Sequence, residues 1–129
     1  MPGILPALVL FAASLNSTAA EPADEAALVA SGKKQFMRCS ACHTMQAGGS
    51  SELGPHLEGI VGREVAALSD FAYTEELREE QFIWDEARLD QWLERPDEMA
   101  PPGMCRPFRG LRSEAARRAL IAYMKNPAE

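Results

Sequence analysis

Two cysteines and a histidine stand together in the segment Cys39-Ser40-Ala41-Cys42-His43 of a 129-residue chain that has 3 Cys and 2 His in all. The C-x-x-C-H spacing is that of c-type haem attachment. Two thiols three residues apart at the end of a helix reach the two vinyl groups of one porphyrin and fix it by thioether bonds. The imidazole that follows falls under the iron as proximal ligand. The same residues admit other chemistry. A structural zinc ion needs four ligands, and Cys39, Cys42 and His43 would have to recruit Cys105 or His56, in a spacing that matches no common zinc framework. A dithiol redox pair belongs in a strand-helix-strand setting, which this sequence lacks. A Cys39 to Cys42 disulfide closes too small a loop to add much stability. The appended histidine favours haem, and Cys105 is left outside any simple pair.

The elements that must hold this motif are helical. Leu28, Gly32 and Phe36 recur at i, i+4 and i+8 behind a candidate N-cap at Asp24, and Leu89, Trp92 and Leu93 follow a cap at Asp85 and stop before Pro96. Ser113 precedes Ala116, Leu120, Tyr123 and Met124, ending near Asn126-Pro127. A shorter helix is expected after Thr74, with Glu75 and Glu76 favoured by the helix dipole. No segment alternates at period two. Residues 44–70 and 95–112 read as loops marked by Gly48-Gly49, Gly54-Pro55, Gly59, Gly62, Pro101-Pro102-Gly103, Pro107 and Gly110. Three or four short helices joined by such loops suggest a chain wrapped around something other than its own side chains.

Length and charge bound the rest. A chain of 129 residues has room for one domain. With 13 Lys and Arg against 19 Asp and Glu, the net charge of −6 argues against nucleic-acid or anionic-membrane binding, which needs a positive surface. The charge is unevenly spread: residues 75–98 sum to −7 and residues 99–129 to +4. Such runs are ordinarily the solvated faces of helices; the sharper reading is a molecule with a basic and an acidic end. Residues Ile4 to Leu15 are almost wholly apolar but too short to span a bilayer. Small and polar residues from Asn16 to Ala20 then precede Glu21, so residues 1–20 are expected to be an export signal cleaved near Ala20, although no Lys or Arg precedes the apolar run. Residues 21–129 would form the working domain, outside the cytoplasm.

The run Gly32 to Thr44 resembles the first helix and haem site of class I cytochromes c. Gly54-Pro55-His56-Leu57-Glu58-Gly59-Ile60-Val61-Gly62-Arg63 is similar to that family's next loop, with His56 where Asn is usual. Phe71-Ala72-Tyr73-Thr74 and Ile83-Trp84-Asp85 through Pro96 resemble its middle helices, and Phe108-Arg109-Gly110-Leu111 with Leu120 to Lys125 its end. The likeness spans roughly residues 24–125, nearly all of the expected domain, with its motifs in the family's order. It implies an all-α class I cytochrome c fold of three to five short helices with long Gly/Pro-rich loops around one covalent haem c. Gly32 and Phe36 would pack against Leu120 and Tyr123. The Pro55 carbonyl would accept from the second ring nitrogen of His43, strengthening the ligand. Arg63, Tyr73 and Trp84 would face the haem propionates, which need donors once buried; without the resemblance, Tyr73 and Trp84 read as core aromatics.

The sixth iron ligand departs from the family pattern. Pro102-Gly103 and Phe108 are present, but Arg106 stands three residues after the glycine where the family has Met, and guanidinium has no lone pair to offer. Met104 is the expected ligand, by rearrangement of a Pro-rich loop. Cys105 thiolate, an open or water-bound position, or Met99 or His56 are the alternatives. Met37, Met45, Met99 and Met124 read as packing residues, and His56 as a loop or surface residue. Bound at both faces, the iron passes single electrons between redox partner proteins, and the chain is no enzyme. An open or thiolate-bound site would instead suit a haem-based sensor or peroxidase-like protein. A monomer in the bacterial periplasm is expected, without stable membrane insertion. Lys33, Lys34, Arg38, Arg106 and Arg109 would form a local positive rim for docking.

Overall fold

The computed structural model describes residues 22–51, 53–100, 104 and 107–127. The expected export signal, as well as Pro101, Pro102, Gly103, Cys105 and Arg106, lies outside the described residues. The helices are α1 (Pro22–Phe36), α2 (Glu75–Glu79), α3 (Glu86–Glu94), α4 (Pro96–Met99) and α5 (Glu114–Lys125).

Three helix starts follow the side-chain chemistry of capping. The Thr74 hydroxyl accepts from the Leu77 amide at 3.3 Å, Asp85 from the Arg88 amide at 2.7 Å and Ser113 from the Ala116 amide at 3.3 Å. Helix α1 differs from expectation. It begins at Pro22, whose fixed φ suits a first turn, so Asp24 lies inside that turn and complements the dipole rather than capping. A second difference is α4, inside the stretch read as loop: Pro96 ends α3 but opens the next turn, where its missing N–H is harmless.

The crossing of α1 and α5 forms the frame. Val29, Gly32 and Phe36 of α1 are buried, as are Ala119, Leu120, Ile121, Tyr123 and Met124 of α5. Phe36 and Tyr123 rings meet at 5.5 Å. Gly32 is required here: a Cβ would overlap the Ala119 carbonyl oxygen and lie 2.6 Å from Tyr123 Cβ. Helix α3 packs on α5 through Arg117, which is 5% exposed and donates to Asp90 Oδ1 at 2.7 Å and to the carbonyls of Leu111 and Arg112, both at 3.0 Å. The backbone at Leu111 is tied to Leu93 by a 2.7 Å hydrogen bond.

One feature has no counterpart in the sequence reading. Arg63–Glu64 (β1) and Ile83–Trp84 (β2) form an antiparallel pair in the register Arg63 to Trp84 and Glu64 to Ile83. Two residues per strand are too few for alternation to register as a pattern.

Candidate haem site

Helix α1 runs out into two successive turns that carry the motif. The Cys39 and Ser40 amides donate to the Phe36 carbonyl at 2.7 and 3.1 Å, and the Cys42 and His43 amides to the Cys39 carbonyl at 3.1 and 2.9 Å. Cys39, Cys42 and His43 are therefore presented from one tightly wound segment anchored by buried Phe36. Both thiols are unbonded and half-buried. Burial pushes the Cys39 thiol above its usual range, partly opposed by Arg38. Among the described residues no three His, Cys, Asp or Glu side chains are grouped to hold a metal ion by themselves, which removes a zinc site built with His56; Cys105 lies outside those residues.

His43 is held from the neighbouring loop. Its Nδ1 lies 2.7 Å from the Pro55 carbonyl oxygen, so Nδ1 carries the hydrogen and Nε2 keeps a free lone pair. Burial lowers the His43 pKa, with the bond to Pro55 acting in the opposite direction and Arg63 adding to the lowering. The ring is thus a neutral, oriented donor. The loop that supplies Pro55 is fixed in turn: Ser51 Oγ donates to the Cys42 carbonyl at 3.1 Å, and the Leu57 amide donates to the Thr44 carbonyl at 2.7 Å. The Ala47 amide donates to Glu58 Oε2. Gly54 makes the approach possible, because a Cβ there would lie 2.7 Å from His43 Cε1 and 2.8 Å from the Cys42 carbonyl oxygen. In the sequence Gly54 stands as a loop marker and in the family-like loop, without a stated role; its pairing with Pro55 is the available signal.

Arg63, Tyr73 and Trp84 come together. Arg63 is the strand partner of Trp84 and interacts electrostatically with Tyr73. Its guanidinium donates to the His56 carbonyl at 3.0 Å and the Glu58 carbonyl at 3.3 Å. Burial lowers the Arg63 pKa and raises that of the Tyr73 hydroxyl, the latter opposed by Arg63. Asp70 acts on this half-buried guanidinium only at longer range, and among the described residues no carboxylate forms an ion pair with it, so an anionic group of a cofactor would complete it.

Met104 is half-buried and packs against the core cluster together with Trp92 and Phe108. Its competitor Cys105 lies outside the described residues. His56, expected at a loop or surface position, is in a loop but buried, at 6% exposure, with its Nδ1 unpartnered; its amide is held by Ser50 Oγ at 3.0 Å, which turns the ring inward. Met45 and Met124 are buried and Met99 half-buried, as packing residues should be, whereas Met37 is 70% exposed, because it lies just past α1 and turns away from the crossing. A residue with no role in the sequence reading beyond an apolar stripe is Trp92, whose buried Nε1 has no partner and whose ring stacks on Phe108 at 5.4 Å.

A five-helix frame presenting two free thiols and a neutral, carbonyl-oriented imidazole, with an unpaired guanidinium nearby, fits a covalently held haem. Residues 29–127 match the family model for cytochrome c. The chain is 37% identical over 87 residues to cytochrome c of Kluyveromyces lactis, covering 67% of this chain and 78% of that protein. It is 33% identical over 93 residues to cytochrome c2 of Rhodoblastus acidophilus, covering 72% and 86% respectively. Among solved structures, cytochrome cH from Methylobacterium extorquens superposes with a TM-score of 0.67 at 33% identity, covering 75% of this chain and 96% of that one. The chain belongs to the class I cytochrome c family. It is a haem-based electron carrier that works with redox partners, and not an enzyme. Among the described residues no helix is long and apolar enough to cross a membrane.

Proposed function

We propose that the chain is exported with residues 1–20 as a cleaved signal, and that residues 21–129 carry single electrons in the bacterial periplasm as a monomer with one haem c. Cys39 and Cys42 would hold the haem by thioethers, with His43 and Met104 as axial ligands and Arg63, Tyr73 and Trp84 toward the propionates. When bound, the haem supplies the one-electron couple. The observation that carries this reading is the 2.7 Å contact between His43 Nδ1 and the Pro55 carbonyl. It fixes the tautomer, leaves Nε2 for iron and raises the basicity of the ring. Such an arrangement suits a permanent proximal ligand better than a proton carrier.

Met104 supplies a flexible thioether from a Pro- and Gly-rich loop, and a thioether sixth ligand favours a higher potential than a thiolate. Lys33, Lys34, Arg38 and Arg109 are exposed near the haem-bearing segments. With Arg106 they would form a positive rim at which a partner docks briefly, despite the net charge of −6.

The test is expression with a c-haem maturation system. Covalent haem absorbance lost in Cys42→Ser is expected, and a chain that never takes up haem refutes the reading. A near-infrared sulfur-to-iron band in the ferric protein, lost in Met104→Ala, is the signature of the carrier. Ready carbon monoxide binding by the ferrous protein would instead favour an open-site sensor or peroxidase-like protein.

A further inference from the structure

Ser50 and Asp70 lie outside the set of residues that would touch haem, yet hydrogen bonds join both of them to His43. His43 Nδ1 lies 2.7 Å from the Pro55 carbonyl oxygen. The nitrogen of that same peptide unit, His56 N–H, donates to Ser50 Oγ at 3.0 Å. Ser50 Oγ in turn donates to Asp70 Oδ2 at 3.2 Å. The chemistry of the groups fixes every direction. A backbone N–H can only donate, a carboxylate can only accept, and a hydroxyl has one hydrogen and two lone pairs. Ser50 therefore accepts from His56 and gives its hydrogen to Asp70 at the same time. The peptide cannot turn out of this line, because His56 is 6% exposed and its carbonyl accepts from Arg63 Nη2 at 3.0 Å.

Each bond polarises the next. The Asp70 carboxylate draws the Ser50 hydrogen, which makes Oγ a better acceptor for His56 N–H. Amide resonance couples nitrogen to oxygen across the C–N bond, so a more strongly held N–H leaves more negative charge on the Pro55 oxygen. That oxygen holds the Nδ1 hydrogen more firmly, and the imidazole becomes a stronger donor at Nε2. Chains of this kind gain about 10 to 30% in strength per bond. A stronger donor favours ferric iron over ferrous, which carries one positive charge less. Asp70 also acts on Arg63 through space, so its charge has two routes to the site, and only one of them passes through Ser50.

We propose that Asp70 is a positioning residue for the haem potential: its carboxylate, acting through Ser50 Oγ and the Pro55–His56 peptide, strengthens His43 as an iron donor and lowers the potential. This rests on the haem reading above and adds to it the surface group that tunes the couple.

The experiment is spectroelectrochemistry of the haem-loaded protein in wild type, Asp70→Asn, Ser50→Ala and the double variant, with proton NMR of the ferrous state to read His43 Nδ1–H. Asparagine keeps an oxygen that accepts from Ser50 and removes the charge; alanine at 50 keeps the Asp70 charge and removes the link. Each single variant should raise the ferrous-to-ferric ratio at a fixed potential about twofold, equal to about 18 mV at about 59 mV per tenfold for one electron. The Nδ1 proton should move upfield in both. Asp70→Asn should have a smaller effect once Ser50 is alanine. An unchanged or lowered potential in Ser50→Ala would overturn the proposal. So would an Asp70→Asn shift of equal size in both backgrounds, the mark of a charge acting only through space. Should Ser50→Ala fail to hold haem, the Nδ1 proton of ferrous Asp70→Asn decides: an upfield move supports the proposal, and any other result overturns it. A wild type that takes up no haem defeats the functional reading itself, a result distinct from an intact haem protein whose potential ignores Ser50 and Asp70.

Discussion

Gly32→Ala tests whether the α1–α5 crossing holds the haem-bearing turn in place. A methyl group at this position would overlap the Ala119 carbonyl oxygen and lie 2.6 Å from both Ala119 C and Tyr123 Cβ. The carbonyl belongs to α5 and cannot swing aside, so the helices must part. Restoring ordinary contact with that oxygen at about 3.5 Å requires a separation of about 1.5 Å. Val29, Phe36, Leu120 and Tyr123 are each buried to 7% exposure or less, and each contributes about 2 kcal/mol through burial. A gap of that width forfeits about half of such contact energy, or about 4 kcal/mol in sum. Alanine returns about 1 kcal/mol through its helix propensity. The net loss is about 3 kcal/mol, and the midpoint of thermal unfolding should fall by about 15 °C.

Urea and thermal unfolding of the haem-loaded protein, followed by circular dichroism, measure this. Gly48→Ala is the control. Gly48 has φ +75° with nothing within 4 Å of an added Cβ, so its cost is backbone strain of about 1 kcal/mol with no helix displaced. If Gly32→Ala were as stable as wild type, or more stable, close approach at the crossing would not be what fixes the frame.

Three further outcomes follow from the site and its supports. Gly54→Ala places a Cβ 2.7 Å from His43 Cε1 and 2.9 Å from Nδ1; the ring must leave the Pro55 carbonyl, and loss of that bond makes the imidazole a poorer donor to ferric iron. The haem potential should rise by about 40 mV, the equivalent of about 1 kcal/mol for one electron, and spectroelectrochemistry showing no rise contradicts this. Asp90→Ala leaves buried Arg117 with only the longer 3.8 Å pair to Glu94 and should cost about 2 kcal/mol, below the full value for a buried pair because Glu94 remains and Asp90 is 39% exposed; Glu86→Ala, which breaks the exposed pair with Lys125, should leave the urea midpoint unchanged. Because burial lowers the His43 pKa from 6.5, the unfolded chain binds more protons than the folded one between that lowered value and 6.5. Stability should therefore be lost as pH falls below 6.5. Urea midpoints in a His56→Asn background, where His43 is the sole histidine, check this, and a curve flat from pH 7 down to 5 would refute it.

What the sequence disclosed was whatever local chemistry decides. Thr74, Asp85 and Ser113 cap helices because a short oxygen-bearing side chain next to a helical run has one partner within reach. The Cys39-to-His43 turn was legible for the same reason, since its geometry closes within a few residues. The Pro55 carbonyl was reached only through the family resemblance, because nothing local says that a loop twelve residues on returns to His43. The burial of His56 was hidden for that reason too: its inward turn depends on Ser50 holding its amide and Arg63 its carbonyl. Helix α4 escaped notice because Pro96 reads equally as a stop and as a start, and only the backbone hydrogen bonds to the Arg95 and Pro96 carbonyls choose.

The charge blocks show how a pattern along the chain changes meaning in three dimensions. An acidic stretch at residues 75–98 and a basic one at 99–129 suggested a molecule with two charged ends. In the structure the two blocks fold onto each other, because α3 and α5 pack together. Arg117 pairs with Asp90, and Lys125 pairs with Glu86 at 2.6 Å. Part of the basic excess is therefore consumed in joining helices, and in the case of Arg117 in a buried contact that salt screens little. Outside this contact Lys33, Lys34, Arg38 and Arg109 are exposed, as are Arg78, Arg112 and Arg118. Lys33 and Lys34 stand in the last turn of α1, and Arg38 lies just past it, ahead of the Cys39-to-His43 turn. The docking rim proposed above would thus rest on local charges, because neither the net charge of −6 nor the charge profile along the chain indicates where a partner binds.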